Sequence, residues 1–249
     1  MAINLVGSTN SRSDYGDLSF LDAATALTVA FRIKFTAAPS DNRYCSKWGG
    51  PGGNTFIIQG QDTNEVGFAL SGNSGIFGRK TDTANLANGS QYGVVCTWAS
   101  GTPNVVHIVI NGSDESVSEF VDNSNQATLD ASNAVVSVGH EPGSSTDGND
   151  GDYSDFAIWL RTLTVAEAQG ISNGMSPALY PNGLALYDRM INTSQAKDEI
   201  GGVVPSITAG INASHPAIIY PSAQILQFPP AAAASAADLT RFLSLLGVG

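Results

Sequence analysis

The feature that most constrains this chain is the alternation of apolar and other residues over 27–35, which read LTVAFRIKF. Every second residue is large and apolar, and these residues are Leu27, Val29, Phe31, Ile33 and Phe35. Successive side chains of a β-strand point to opposite faces, so a period of two predicts a strand with one buried face and one wet face.

The same alternation recurs along the first 160 residues. Further strands are predicted at 43–48, 55–59, 65–70, 76–79, 92–98, 105–110, 117–120, 134–138 and 153–160. Asn111 and Gly112 both tolerate left-handed backbone, which predicts a turn that joins 105–110 to a return strand at 117–120 as a hairpin. Short strands separated by Gly, Asn, Asp and Ser are typical of a β-sandwich.

One short helix is predicted after the last of these strands. Thr164-Val165-Ala166-Glu167 has the pattern of a capping box, with Thr164 as the N-cap and Glu167 reaching back to its amide. The helix should end near residue 171.

The order of these motifs resembles the laminin-G-like, concanavalin A-like jelly-roll family. Residues 27–35 resemble its early core strand, residues 46–50 its Ser-Lys-Gly turn, and residues 151–171 its closing strand and capped helix. The resemblance covers roughly the first 172 residues and implies an all-β, two-sheet antiparallel jelly-roll sandwich as a domain over residues 1–173. Ala99 stands where the family often carries Asp, which weakens any inherited polar site at that turn.

The character of the sequence changes after residue 173. Residues 174–230 are punctuated by X-Pro steps, which favour extended backbone, and they are too apolar for a disordered linker. Residues 231–249 have a narrow apolar stripe at helical spacing, and so short a helix is marginal alone. We predict an extended docking arm and a short amphipathic helix, which contact a partner through Ile218, Ile219, Tyr220, Ile225, Leu226, Phe228, Leu239, Phe242, Leu243 and Leu246.

Charge and composition exclude some classes of partner. The formal net charge is −11, so a phosphate backbone or an anionic membrane would be repelled by most of the surface. Residues 1–5 lack the basic start and apolar run of a signal peptide. Cys45 and Cys96 are interpreted as two small buried apolar residues, with a single disulfide between neighbouring strands as the alternative.

Two kinds of binding site are candidates. Trp48, beside a glycine-rich loop, and Tyr153, beside an acidic loop, could contact a glycan, or both could be structural. The acidic loop offers several hard oxygen ligands for a calcium ion, the only cofactor predicted, although such loops are usually just solvated. The predicted ligands are Glu141, Asp147, Asn149, Asp150 and Asp152.

No catalytic residues are predicted, because the paired carboxylates of a glucanase strand and a nucleophile motif are both missing from the sequence. The segment after residue 173 also resembles the tails of phage-encoded proteins of this class. That resemblance implies a non-enzymatic virion protein, a capsid decoration or head-fibre protein made in the host cytoplasm. Its partners would be the major capsid protein, other virion proteins and further copies of itself. The alternatives are a carbohydrate-binding adhesion module that contacts surface glycans and, less favoured, a polysaccharide hydrolase.

Overall fold

The computed structural model describes residues 2–6, 11–36, 43–49, 53–61, 64–83, 86–123, 125–141, 148–194 and 196–213. The strands are β1 Ala2–Leu5, β2 Arg12–Asp14, β3 Ala26–Phe35, β4 Arg43–Lys47, β5 Phe56–Gln61, β6 Glu65–Gly72, β7 Gly75–Thr81, β8 Gln91–Ala99, β9 Val105–Ile110, β10 Ser113–Asp114, β11 Val117–Asn123, β12 Val136–Val138, β13 Gly151–Trp159, β14 Leu184–Asp188, β15 Ser206–Thr208 and β16 Ile211–Ala213. The α-helix α1 spans Val165–Ser172, and 3₁₀ helices span Ser19–Leu21 and Pro177–Leu179.

These strands form two antiparallel sheets. The first has the order β10-β9-β8-β3-β13-β1-β16, with β14 also paired to β13, and the second has the order β11-β7-β6-β5-β4-β12-β2-β15. The predicted jelly-roll sandwich is confirmed. The described helices are too short or too polar to cross a lipid bilayer.

The core lies between the two sheets. The alternating apolar residues of β3 all face it and are at most 1% exposed, as the period of two predicts. Phe56 of β5 and Phe68 of β6 contribute to the same core from the second sheet. Cys45 and Cys96 are free thiols buried there, and burial raises the pKa of both. Their predicted role as small apolar residues is confirmed.

The outer face of the first sheet carries a second apolar cluster beneath α1. Ala30 of β3 packs there with Ala168 of the helix, and the Thr28 hydroxyl donates to the Arg161 carbonyl at 2.8 Å. The predicted solvent-exposed face of β3 is therefore wrong at Thr28 and Ala30, because the segment that leads into α1 covers Thr28 and the helix covers Ala30. The predicted capping box is present, with Thr164 and Glu167 bonded in both directions.

The turn at Asn111-Gly112 forms, with both residues at positive φ, but the predicted hairpin is wrong. The strand that returns along β9 is only the two-residue β10. The next strand, β11, crosses to the second sheet and pairs with β7, where Val117 lies opposite Thr81. Alternation identifies a strand, but it does not specify the strand's partner.

Residues after 173 contribute strands to both sheets. β14 pairs with β13, β15 with β2 and β16 with β1. Leu186, Tyr187 and Met190 are at most 2% exposed. The sandwich itself thus covers part of the apolar stretch that we predicted to need a partner, whereas Ile200, Val204 and Ile211 are 51%, 71% and 61% exposed. The predicted docking residues, from Ile218 to Leu246, lie outside the described residues.

Candidate functional site

The outer face of the second sheet carries a groove. The register places Ile57 of β5 opposite Ala69 of β6, Ala69 opposite Gly78 of β7, and Gly78 opposite Val121 of β11. Residues that lie opposite one another share a face, and the neighbours of Ile57 and Ala69 along each strand face the core. This row of small and aliphatic residues is therefore the floor of a surface that looks away from the core.

Taller side chains enclose this floor. The groove has a cavity volume of about 130 Å³. Its lining residues are Arg43, Trp48, Ile57, Gln59, Ala69, Ile76, Phe120 and Val121. From β4 to β11 the sheet takes four inter-strand steps, which is about 19 Å at about 4.8 Å per step. The volume is below the ~300–1,000 Å³ of pockets for drug-sized ligands, so the groove suits one small ring or one side of an extended ligand.

Phe120 forms one wall because the strand bulges and two glycines make room. The register between β11 and β7 shifts between Glu119 and Val121, so that Phe120 and Val121 both contact the outer face. A methyl group at Gly78 would lie 2.9 Å from Cε1 of Phe120, and one at Gly67 would lie 3.2 Å from its Cζ. The Phe120 ring therefore packs directly against the backbone of β6 and β7, because the two glycines have no side chains.

Arg43 and Trp48 of the β4 side form the opposite wall. Trp48 is half-buried. The Nε of Arg43 donates to Oε2 of Glu141 at 3.0 Å, and its Nη1 donates to Oε1 of Gln59. Glu141 packs so closely against Gly49 that a methyl group at Gly49 would collide with the Glu141 carboxylate. Polar groups of fixed orientation thus stand beside an apolar floor.

The two predicted glycan-contacting aromatic residues have different positions. Trp48 lines the groove, as its place beside the glycine-rich loop suggested. Tyr153 cannot contact a ligand, because it is 0% exposed and packs in the core with its ring 6.4 Å from that of Phe31. The prediction for Tyr153 is therefore wrong. It lies opposite Ile33 and Ile3, and both of these residues face the core.

The described members of the predicted calcium set have other contacts. Glu141 pairs with Arg43, Asp152 accepts a hydrogen bond from Asn4 at 2.6 Å, and Asn149 is 2% exposed. No group of three or more acidic, His or Cys side chains among the described residues is placed to hold a metal ion. Asp147 lies outside these ranges, so the calcium site stays a prediction.

The groove contains residues that sequence reasoning did not select. The sequence placed Phe120 in a strand, but its side chain reaches the outer face of the sheet only because β11 bulges between Glu119 and Val121. Arg43 and Gln59 lie opposite each other in the register of β4 and β5. The signal available in the sequence was the pair Gly67 and Gly78, each inside a predicted strand, where glycine often marks a close approach.

A separate group of buried carboxyl groups lies away from the groove. The side chain of Asp155, at positive φ within a bulge of β13, accepts a hydrogen bond from the Tyr187 hydroxyl at 3.0 Å. Burial raises the pKa of Asp155 to about 6, although Tyr187 and Arg32 act against that shift. Burial also raises the pKa of Asp188, which accepts a hydrogen bond from Tyr15. These groups join β14 to the sandwich and do not line the groove.

The groove can hold a flat ring that has an apolar face and polar edges. Phe120 and Trp48 supply rigid aromatic surface, Ile57 and Val121 supply an aliphatic floor, and Gln59 supplies an amide for hydrogen bonds.

Comparisons with known proteins agree with this architecture. Residues 8–169 match the sequence model of a family described as the concanavalin A-like lectin/glucanases superfamily. The chain is similar in structure to a candidate carbohydrate-binding protein from Bacteroides ovatus, with a TM-score of 0.61 and 17% identity over 88% of this chain and 61% of that protein. It is also similar to a heptameric SAP-like pentraxin from Limulus polyphemus, with a TM-score of 0.51 and 18% identity over 83% of this chain and 94% of the pentraxin. No curated protein sequence is significantly similar to it.

Proposed function

The chain belongs to the concanavalin A-like lectin/glucanase superfamily, and from this membership and its groove we propose that it is a non-catalytic carbohydrate-binding module. The observation that carries the proposal is the pairing of an aromatic and aliphatic surface with fixed polar groups in one groove. The Bacteroides ovatus protein with the same fold is itself a candidate carbohydrate-binding protein, which agrees with the proposal.

A sugar ring presents two different surfaces to a protein. In a pyranose such as β-glucose, the axial C–H groups form an apolar face and the equatorial hydroxyl groups form a polar rim. The half-buried rings of Phe120 and Trp48 can cover the C–H face and remove it from water. The amide of Gln59 can both donate to and accept from hydroxyl groups.

Binding is favoured over hydrolysis by the residues that line the groove. Hydrolysis of a glycosidic bond ordinarily needs two carboxyl groups about 5–10 Å apart. Among the described residues, the groove lining includes no Asp or Glu, and the adjacent Glu141 is engaged by Arg43. We therefore assign the groove a binding role.

The proposal is tested with a glycan array, followed by titration calorimetry on any glycan that binds. Phe120→Ala should weaken binding about 5- to 30-fold, because about 1–2 kcal/mol of apolar contact is lost. Phe20→Ala is a matched control, since Phe20 is also half-buried but does not line the groove. Val121→Ala and Val105→Ala form a second matched pair, because Val105 lies on the first sheet. Equal effects within each pair would contradict the proposal.

The virion role predicted for residues 218–246 stays a prediction. It would give the module a particle on which to present the groove. Deletion of residues 214–249 is the appropriate test, because a deletion from residue 174 would also remove β14, β15 and β16. Full association of the shortened chain with assembled particles would contradict docking through these residues.

A further inference from the structure

We propose that the groove selects uncharged saccharides over sulfated, sialylated or uronate-containing ones, an inference that rests on the proposed carbohydrate-binding function. The structural reason is that the cation of the groove is already paired with a carboxylate of the chain itself.

Arg43 is the one charged residue among the eight that line the groove in the described part of the chain. An arginine in such a place would ordinarily favour a sulfate or a carboxylate, because its planar guanidinium group binds both in a bidentate manner. Here its Nε donates to Glu141 and its Nη1 donates to Gln59. Two nitrogen atoms of the guanidinium group therefore already donate hydrogen bonds within the protein when no ligand is bound.

The pair is also partly shielded from water. The side chains of Arg43 and Glu141 are 22% and 12% exposed, so their mutual attraction is screened less than that of a surface pair. Glu141 is confined by its close packing against Gly49. An anionic substituent on a sugar would have to displace this carboxylate or lie beside it, and like charges side by side oppose binding.

A second cation of this sheet, Lys80, is also paired with a carboxylate of the chain. Lys80 lies opposite Gly67, beside the Phe120 wall, and its Nζ contacts Oε2 of Glu65 at 2.6 Å. The net charge of −11 further disfavours the approach of an acidic polysaccharide. Each of these observations favours a ligand that is recognised through C–H faces and hydroxyl groups alone.

The experiment is an array that carries the same backbones in uncharged and acidic forms, for example lactose, 6′-sulfolactose and 3′-sialyllactose. The wild-type protein is expected to bind one or more uncharged members at least tenfold more tightly than their acidic forms. Glu141→Gln should raise binding of the acidic forms at least tenfold, and added salt should reverse the gain. Glu199→Gln is the control for charge, because it releases Arg189 from a pair near β14 of the first sheet.

The outcomes separate this inference from the proposed function. Tighter binding of acidic than of uncharged forms by the wild-type protein would overturn the selectivity and leave carbohydrate binding intact. No binding of any glycan would overturn both. If Glu141→Gln does not fold, the double variant Arg43→Gln/Glu141→Gln removes the pair as a unit and should show no gain for acidic forms. A gain in that variant would contradict the role of Arg43.

Discussion

Lys47 offers the most direct test of how this sandwich is held together, because its ammonium group is buried. Its side chain is 0% exposed at the end of β4, and Nζ lies 2.8 Å from Oδ1 of Asp17 and 3.2 Å from Oδ1 of Asp22. The Leu18 carbonyl oxygen lies at 3.4 Å. The lysine thereby fixes the segment that connects β2 to β3. We consider the substitution Lys47→Met, which keeps most of the apolar stem and removes the charge.

The expected cost follows from these contacts. Each charge-assisted hydrogen bond contributes about 1.5–3 kcal/mol, and breaking a buried ion pair costs about 3–5 kcal/mol. The two carboxylates are 38% and 29% exposed, so water can solvate them again after the substitution. We therefore expect a loss of about 3 kcal/mol in the free energy of unfolding. For a chain of this size that loss lowers Tm by about 6–12 °C.

Urea denaturation followed by circular dichroism measures the effect, with Lys34→Met as the control. Lys34 is exposed on β3, and its substitution should change stability by less than about 0.5 kcal/mol. Asp17→Asn, alone and combined with Lys47→Met, completes a double-mutant cycle with an expected coupling of about 1–2 kcal/mol. A Lys47→Met protein within about 1 kcal/mol of the wild type would refute the reasoning.

Three further predictions concern the groove and the first sheet. Gly78→Ala should displace Phe120 and weaken glycan binding about fivefold to tenfold, with stability changed by less than about 1 kcal/mol; unchanged affinity in calorimetry would contradict this. Asp155→Asn should flatten the pH dependence of the free energy of unfolding. Because the pKa of Asp155 is raised to about 6, the protonated carboxyl group stabilises the fold fully below pH 3.8, and this stabilisation is lost as pH rises through about 6. In the wild type this contribution to the free energy of unfolding should differ by up to about 3 kcal/mol between low and neutral pH, which urea denaturation at pH 4 and pH 7 measures. Glu167→Ala should lower the free energy of unfolding by about 1–2 kcal/mol above pH 4.5. This loss should shrink in urea denaturation as pH falls toward 2, because Arg161 holds the pKa of Glu167 at about 2.

Much of the sandwich could be predicted from local patterns in the sequence. The alternation in β3 identified its core face, and the capping box located the start of α1, because both signals depend only on neighbouring residues. The strand and helix predictions succeeded because strand periodicity and helix capping are short-range effects. Trp48, predicted as a glycan contact from its place beside a glycine-rich loop, lines the groove, and its contact with a glycan stays a prediction.

The remaining features depend on long-range pairing, which local patterns do not encode. β11 was expected on β9 but pairs with β7, and this difference places Phe120 in the groove. A period of two shows that Tyr153 shares a face with its second neighbours, but it does not show which face is buried. Lys47 was not expected in the core, because lysine is rarely buried without a partner and Asp17 lies 30 residues away.

The pairing of β15 and β16 has a consequence for how the chain reaches its native state. Residues 206–213 complete the second sheet beside β2 and the first sheet beside β1, and Ala213 lies opposite Ala2. Contacts so distant in sequence raise the contact order, which slows folding, and they leave the edges of β1 and β2 open on a nascent chain. We therefore expect the amino-terminal strands to acquire full protection from hydrogen exchange only after residue 213 has emerged from the ribosome.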